Sequence, residues 1–219
     1  MPRIPVTKTP KVYVGGQFIR SESGRVFPIH KSARKGEHPG LLGNIPQCTR
    51  KDLRNAVEAA AKAGPDWAQR TPYNRGQILY RLGEMLESRS AEMADALVIS
   101  GAATKAAAVK EVTAAVDRLI YYAGWSDKYE QVLGNTNPVA GPFFNFTVAE
   151  PMGIVGIIAD DAYPLLGLLS QIAPVIVSGN VCICAGSAPG HGLLPPWPSA
   201  GPGAWRHPRR GGSASRPPG

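Results

Sequence analysis

The stretch from Glu150 to Ser187, EPMGIVGIIADDAYPLLGLLSQIAPVIVSGNVCICAGS, constrains the fold more than any other part of this 219-residue chain. Gly153–Ala159 is nearly all apolar, as expected of a parallel strand covered on both faces. Pro164–Val177 has the length and apolar pattern of a helix, and Val181–Ala185 returns as a second strand. Strand, helix and parallel strand form one crossover, which is right-handed almost without exception. A membrane span would need about 20 predominantly apolar residues in one helix. Here Pro174 and Ser178-Gly179-Asn180 break the run and Asp160-Asp161 precede it, so a buried crossover explains the pattern better. Gly153-Ile154-Val155-Gly156 lies inside a strand and is no phosphate loop.

Upstream, Lys11–Arg20 reads as strand-like with a turn at Gly15-Gly16, and Arg25–Ile29 pairs nearby after Ser23-Gly24. Pro39, Gly40, Gly43 and Pro46 punctuate residues 30–48, which read as loop. Thr49 caps a first helix, with Asp52 as capping-box partner and Leu53, Ala56, Val57 and Ala60 as its apolar stripe; Gly64-Pro65 is its expected end. Thr71 caps a second helix with Pro72 at its first position. Its buried face is Ile78, Leu79, Leu82, Met85 and Leu86. Ser90 starts a third, with Met93, Leu97 and Val98 inward. A long fourth helix begins near Thr104, carries Val109, Val112, Val116, Leu119, Ile120 and Ala123 at helical spacing, and ends by Gly134 or Asn137-Pro138. Phe143–Ala149 alternates as a strand, with Phe144, Phe146 and Val148 on one face. The expected class is α/β: an N-terminal helical region plus the first βαβ crossover of an incomplete Rossmann-like nucleotide-binding domain, over residues 11–187. Residues 1–10 form a flexible N-terminus.

From Pro189 onward the chain is mostly Gly, Pro, Ser, Ala and Arg. Such a composition cannot bury enough apolar surface to offset its ordering entropy, so residues 188–219 are expected to be a disordered tail. Arg206, Arg209, Arg210 and Arg216 carry four of the net charge of +8. The remainder shows no dense Lys/Arg run with interleaved aromatics, which argues against specific nucleic-acid recognition. Cys48, Cys182 and Cys184 form neither a metal-ligand spacing nor a disulfide framework. Cys182 and Cys184 share one face of their strand and read as small buried hydrophobes. The polar start MPRIPVTKTPK shows no secretory signal, so the expected compartment is the cytosol, with no membrane partner.

Several blocks in order carry a resemblance: YVGGQFIRSESGRVFPI, RKDLRNAVEAAAKA, RGQILYRLGEMLE, YYAGWSDKYEQ, EPMGIVGII and IAPVIVSGN. Together, over Val12–Ser187, they resemble the N-terminal part of the aldehyde dehydrogenase superfamily, in particular a degenerate member such as the two-domain family 16. The resemblance implies oxidation of an aldehyde to a carboxylic acid with NAD or NADP. It implies a cysteine nucleophile, a glutamate base and an oxyanion held by an asparagine side chain and a backbone N–H. The asparagine belongs to a Pro-Trp-Asn-Phe-Pro loop after the first strand; this chain has Asp160-Asp161-Ala162-Tyr163-Pro164. Ala162 stands at the asparagine position and cannot donate, and loss of one such donor costs roughly 10²–10³ in rate. Ala159, Asp160 and Asp161 fall where the family lines its cofactor; the two carboxylates would repel a pyrophosphate, or serve only to complement a helix N-terminus. The family's Lys-Pro-Ser-Glu after the second strand is here Ala185-Gly186-Ser187-Ala188, so of that ribose-binding set only Ser187 matches. The positions matching the cofactor site are thus Ala159, Asp160, Asp161, Ala185 and Ser187, with no metal site.

The remaining family parts, the Gly-rich turn, the base and the nucleophile, are expected to lie beyond this chain. The change of character near Ala188 suggests a different reading frame or exon, giving a truncated form. The expectation is an aldehyde dehydrogenase-like protein without activity and without bound NAD or NADP. Ile154, Ile158, Val181 and Ile183 would face water, leaving the fragment marginally stable. The alternative is an interaction or regulatory module that docks, through the helices and Phe143–Ala149, onto a full-length relative or another partner. Pro195-Pro196-Trp197-Pro198 offers a weaker Pro-rich ligand for an SH3 or WW module.

Overall fold

A computed structural model of the chain describes residues 10–30, 40–159 and 162–186. Two antiparallel pairs come first: β1 (Val12–Val14) with β2 (Gln17–Ile19), and β3 (Val26–His30) with β4 (Leu41–Pro46). Gly15 and Gly16 take φ of 58° and 81°, the left-handed conformation that a tight hairpin turn needs. β4 falls in the segment read as loop. Its Gly and Pro residues mimic loop punctuation, yet a two-stranded ladder has two edges, and on an edge proline costs no ladder bond.

Helices α1 (Arg50–Ala68), α2 (Pro72–Ser88), α3 (Ser90–Ile99) and α4 (Lys105–Trp125) follow. Thr49 and Thr71 cap α1 and α2 as their sequence contexts predict, and Thr104, expected only to lie near the start of α4, caps it; each hydroxyl accepts from a first-turn N–H. At α1 the box is complete: Asp52 is buried and accepts from the backbone N–H of Thr49 at 2.8 Å and of Glu22 at 2.9 Å. These bonds, Thr49's first, hold the Asp52 carboxyl below its ordinary range.

α1 does not stop at Gly64-Pro65 but runs on through Pro65 to Ala68. Proline removes one helical bond, and tertiary contacts hold the last turn: Trp67 Nε1 donates to the Ile176 carbonyl at 2.9 Å. Arg75, buried in α2, donates to the carbonyls of Ala68 at 3.2 Å and Arg70 at 2.6 Å.

The core lies between α2, α3, α4 and the crossover helix α6 (Leu166–Val177). Leu79, Leu97, Val112 and Leu119 are fully buried within it. Val98, Val109 and Ile120, expected inward, are instead exposed at 37%, 47% and 36%. The inward stripe of α4 is Ala108, Glu111, Val112, Ala115 and Leu119, and small alanines there let the helices approach closely. After the short α5 (Tyr129–Leu133), β5 (Thr136–Asn137) pairs with β6 (Asn145–Phe146). Only two residues of the Phe143–Ala149 stretch are therefore in a strand. Phe144, Phe146 and Val148 are all exposed, and the two phenylalanine rings meet at a centroid distance of 5.3 Å, tilted by 38°.

The predicted crossover is present as β7 (Ile154–Ile158), α6 and β8 (Val181–Ala185), with β7 and β8 in parallel register from Ile154↔Val181 to Ile158↔Ala185. Gly179 (φ 85°) ends α6: its N–H donates to Ile176 O and that of Asn180 to Val175 O, the paired bonds of a Schellman cap. A Cβ there would stand 2.9 Å from Pro151 Cγ, so the turn admits only glycine. Val155 and Ile157 face the covered side of the sheet, whereas Ile154 and Ile158 lie on the other face, exposed at 39% and 80%. Val181 and Ile183 are half-buried, so the expected apolar exposure falls chiefly on Ile158. No helix among the described residues is long and apolar enough to cross a membrane.

Candidate functional site

In an open parallel sheet, ligands bind beyond the carboxyl ends of the strands. Here that end is formed by Ala159 and Ala185, joined by the Ala159 N–H donating to the Ala185 carbonyl at 3.0 Å. Ala159 is buried, Ala185 exposed. Ala162 is exposed on the loop that leads from β7 into α6, two residues before Pro164. Ala159 and Ala185 thus adjoin at this end of the strand pair and Ala162 lies on the connection into α6; none of the three has a side-chain hydrogen-bonding group. Asp160, Asp161 and Ser187 lie outside the described residues, as do residues 188–219 and 1–9.

The first turn of α6 belongs to the same end. A helix N-terminus exposes unpaired N–H groups that attract anions. Leu165, the N-cap of α6, has no cap of its own. Instead Glu111 of α4, buried at 6% exposure, brings one carboxylate oxygen to the Leu165 N–H at 2.9 Å and the Leu166 N–H at 3.2 Å. An internal carboxylate therefore already holds the position an incoming anion would take. Sequence reading missed Glu111 because it sits inside an apolar helical stripe, and its partners are more than fifty residues away. The available signal was an acidic residue on the buried face of α4.

The opposite, amino end of β7 and β8 is tied by other residues. Asn180 Oδ1 accepts from the Gly153 N–H at 2.8 Å, and Arg75 Nε donates to the Val177 carbonyl at 2.9 Å. Arg75 thus places a cation at the carboxyl ends of both α1 and α6, where helix dipoles favour it. A shallow apolar groove of about 420 Å³ lies here, between Gly64, Pro65 and Ala68 of α1 and Pro151, Ile154 and Val181. It is at the wrong end of the sheet for a nucleotide.

The three thiols are free. Cys182 and Cys184 do share a face of β8, but neither is buried: Cys182 is half-buried and Cys184 exposed, with their Sγ atoms 3.9 Å apart. The reading as buried hydrophobes fails because β8 has no strand beyond it among the described residues. The S–H of Cys184 supports the Cys182 thiolate and lowers its pKa; the same contact, with burial, pushes Cys184 up. Cys48 is exposed ahead of α1, and partial desolvation of its sulfur, followed by the Asp52 charge, raises its pKa.

Comparison with known proteins gives one consistent answer. The family model described as "Aldehyde dehydrogenase family" matches residues 18–190. The chain is 34% identical over 180 residues to retinal dehydrogenase 2 of Gallus gallus, covering 80% of this chain and 33% of that protein. It is 30% identical over 184 residues to omega-crystallin of Enteroctopus dofleini, covering 83% and 36%. Among solved structures, an NAD-dependent aldehyde dehydrogenase from Sinorhizobium meliloti superposes with a TM-score of 0.76 at 23% identity, over 84% of this chain and 36% of that one. A 3,6-anhydro-L-galactose dehydrogenase in complex with NAP gives 0.76 at 21% identity, over 84% and 37%. These two likenesses establish the fold. The chain spans about a third of the length of the curated relatives it matches, and its matched region is their N-terminal portion. This chain belongs to the aldehyde dehydrogenase family.

Proposed function

We propose that these 219 residues form a catalytically silent portion of an NAD(P)-dependent aldehyde dehydrogenase fold: they keep its crossover scaffold and do not themselves oxidise aldehydes. One observation carries the proposal. The loop that would present the oxyanion donor, at the carboxyl end of β7, presents the methyl group of Ala162. A methyl group cannot stabilise developing negative charge, and that stabilisation is usually the largest single contribution to acyl chemistry.

The cofactor end supports the same reading, because its residues do not fit a dinucleotide. Ala185 replaces the cation that the family places near the ribose, and the Leu165 and Leu166 N–H groups are held by Glu111. NAD or NADP, the family's cofactors, would find no charged or hydrogen-bonding side chain at Ala159, Ala162 or Ala185. The thiols do not substitute for the missing nucleophile: Cys182 and Cys184 belong to β8 and Cys48 precedes α1.

The test is reduction of NAD and NADP with a panel of aldehydes. The expected result is no rate above background. Turnover that disappears on Cys182→Ala or Cys184→Ala would overturn the proposal. Titration calorimetry with either dinucleotide is expected to give no heat.

A second reading is favoured by the exposed apolar surface. Phe143, Phe144, Phe146 and Val148 are exposed at 74%, 77%, 57% and 64%. We infer a docking role for this surface, with a full-length aldehyde dehydrogenase chain as partner. Co-purification with such a chain supports it, and monomeric behaviour in an equimolar mixture removes it. Three free thiols suit a reducing compartment, and we place the protein in the cytosol; recovery in a secreted or organellar fraction would refute that.

A further inference from the structure

We propose that Cys182 and Cys184 form a two-thiolate chelate for a soft divalent cation of the zinc or cadmium kind, open to solvent on one side. Residues two apart on a strand project to the same face, with backbones about 6.6 Å apart and Cβ atoms running nearly parallel. A disulfide needs Cβ atoms within about 3.5–4.5 Å, which an extended strand denies to such a pair. Yet the Sγ atoms converge to 3.9 Å. Two metal–sulfur bonds of about 2.3 Å meeting at the tetrahedral angle span about 3.8 Å between sulfurs. The strand therefore holds the pair at the bite of a chelated cation while resisting a direct S–S bond.

Access and chemistry agree with the distance. Cys184 is exposed, Cys182 half-buried, and both thiols are free. β7 and β8 pair over five residues, with Cys182 opposite Val155 and Cys184 opposite Ile157, so the ladder fixes the backbone that carries both sulfurs. Thiolates select soft cations over magnesium and calcium. Among the described residues no group of three or more His, Cys, Asp or Glu side chains gathers to close a metal site. The cation would keep its remaining coordination positions for water or an exogenous thiol, so this site would exchange metal rather than hold it structurally. The balance is simple: one divalent cation enters, two S–H bonds break, two metal–sulfur bonds form, and up to two protons leave to buffer.

The experiment titrates the full reduced chain with cadmium alone, following the sulfur-to-metal charge-transfer absorbance in the ultraviolet and the proton release. The expected result is a band saturating at one cation per chain, with zinc competing. Cys184→Ser, at the exposed position, is expected to weaken binding by about 100-fold or more, since a chelate becomes a single ligand. Cys182→Val, which keeps an apolar group of similar size at the half-buried position, should do the same with circular dichroism unchanged. Cys48→Ser should leave the titration as it was. Absence of the band, its survival in the Cys182→Val/Cys184→Ser double variant, or loss of the band in Cys48→Ser would each overturn the assignment. So would a Cys182–Cys184 disulfide forming readily in air.

Discussion

Replacing Glu111 by alanine should weaken the junction between α4 and the crossover helix α6. The Glu111 carboxylate is buried, carries no helix-capping role on its own helix, and accepts from Leu165 at 2.9 Å and Leu166 at 3.2 Å. Alanine removes the one carboxylate oxygen that accepts both bonds and leaves two N–H groups at the start of α6 without their partner. Each charge-assisted bond contributes about 1.5–3 kcal/mol and each orphaned buried donor costs about 1–3 kcal/mol; these are two descriptions of one loss and do not add. The expected destabilisation is about 3 kcal/mol, the lower half of a doubled single-bond figure because solvent enters the vacated site. In a domain of this size about 1 kcal/mol corresponds to roughly 2–4 °C, so the thermal midpoint should fall by about 6–12 °C. Glu111→Gln keeps an amide oxygen that can accept both bonds and loses only their charge assistance, so it should lose about half as much. Urea denaturation followed by circular dichroism, with both variants beside the parent, measures the difference. The reasoning is refuted if Glu111→Ala falls within about 0.5 kcal/mol of the parent, or if glutamine is as damaging as alanine.

Leu119→Ala empties a fully buried position between α4 and α2 and should cost about 2–5 kcal/mol in the same denaturation assay. The Asp52 carboxyl is held below its ordinary pKa, so its contribution is fully present above about pH 4 and is lost as pH falls through the lowered folded value. An acid titration of stability should therefore flatten in Asp52→Asn in that window, and an unchanged profile would contradict the capping role. Ile158, 80% exposed at the end of β7, should accept lysine with a change within about 0.5 kcal/mol while reducing aggregation on warming, read by light scattering.

The crossover was legible because its two strands and helix have apolar runs of the right lengths, with Ser178-Gly179-Asn180 between helix and second strand. Thr49 and Thr71 were legible because capping is local chemistry. β4 was not, since pairing with β3 is a long-range event and its Pro46 and Gly43 are what loops also contain. The extension of α1 past Pro65 depends on Trp67 and Arg75 finding carbonyls elsewhere in the fold, which no window of sequence reveals. Val109 satisfied the helical period yet lies outside the contact stripe, and Ile120 reaches only its edge, over Gly83 of α2, because periodicity selects a broad face and packing selects a narrower one. At the candidate site, the substitution at Ala162 was readable from the loop alone. The carboxylate of Glu111 on the α6 N-terminus, and the exposure of Cys184, required the fold.

Intact-mass spectrometry after incubation with an aldehyde and NAD addresses the silence of this chain most directly, because an aldehyde-oxidising thiol passes through an acyl thioester. The account predicts an unchanged mass for the parent chain. An acyl adduct that depends on the dinucleotide and maps to Cys48, Cys182 or Cys184 would contradict it.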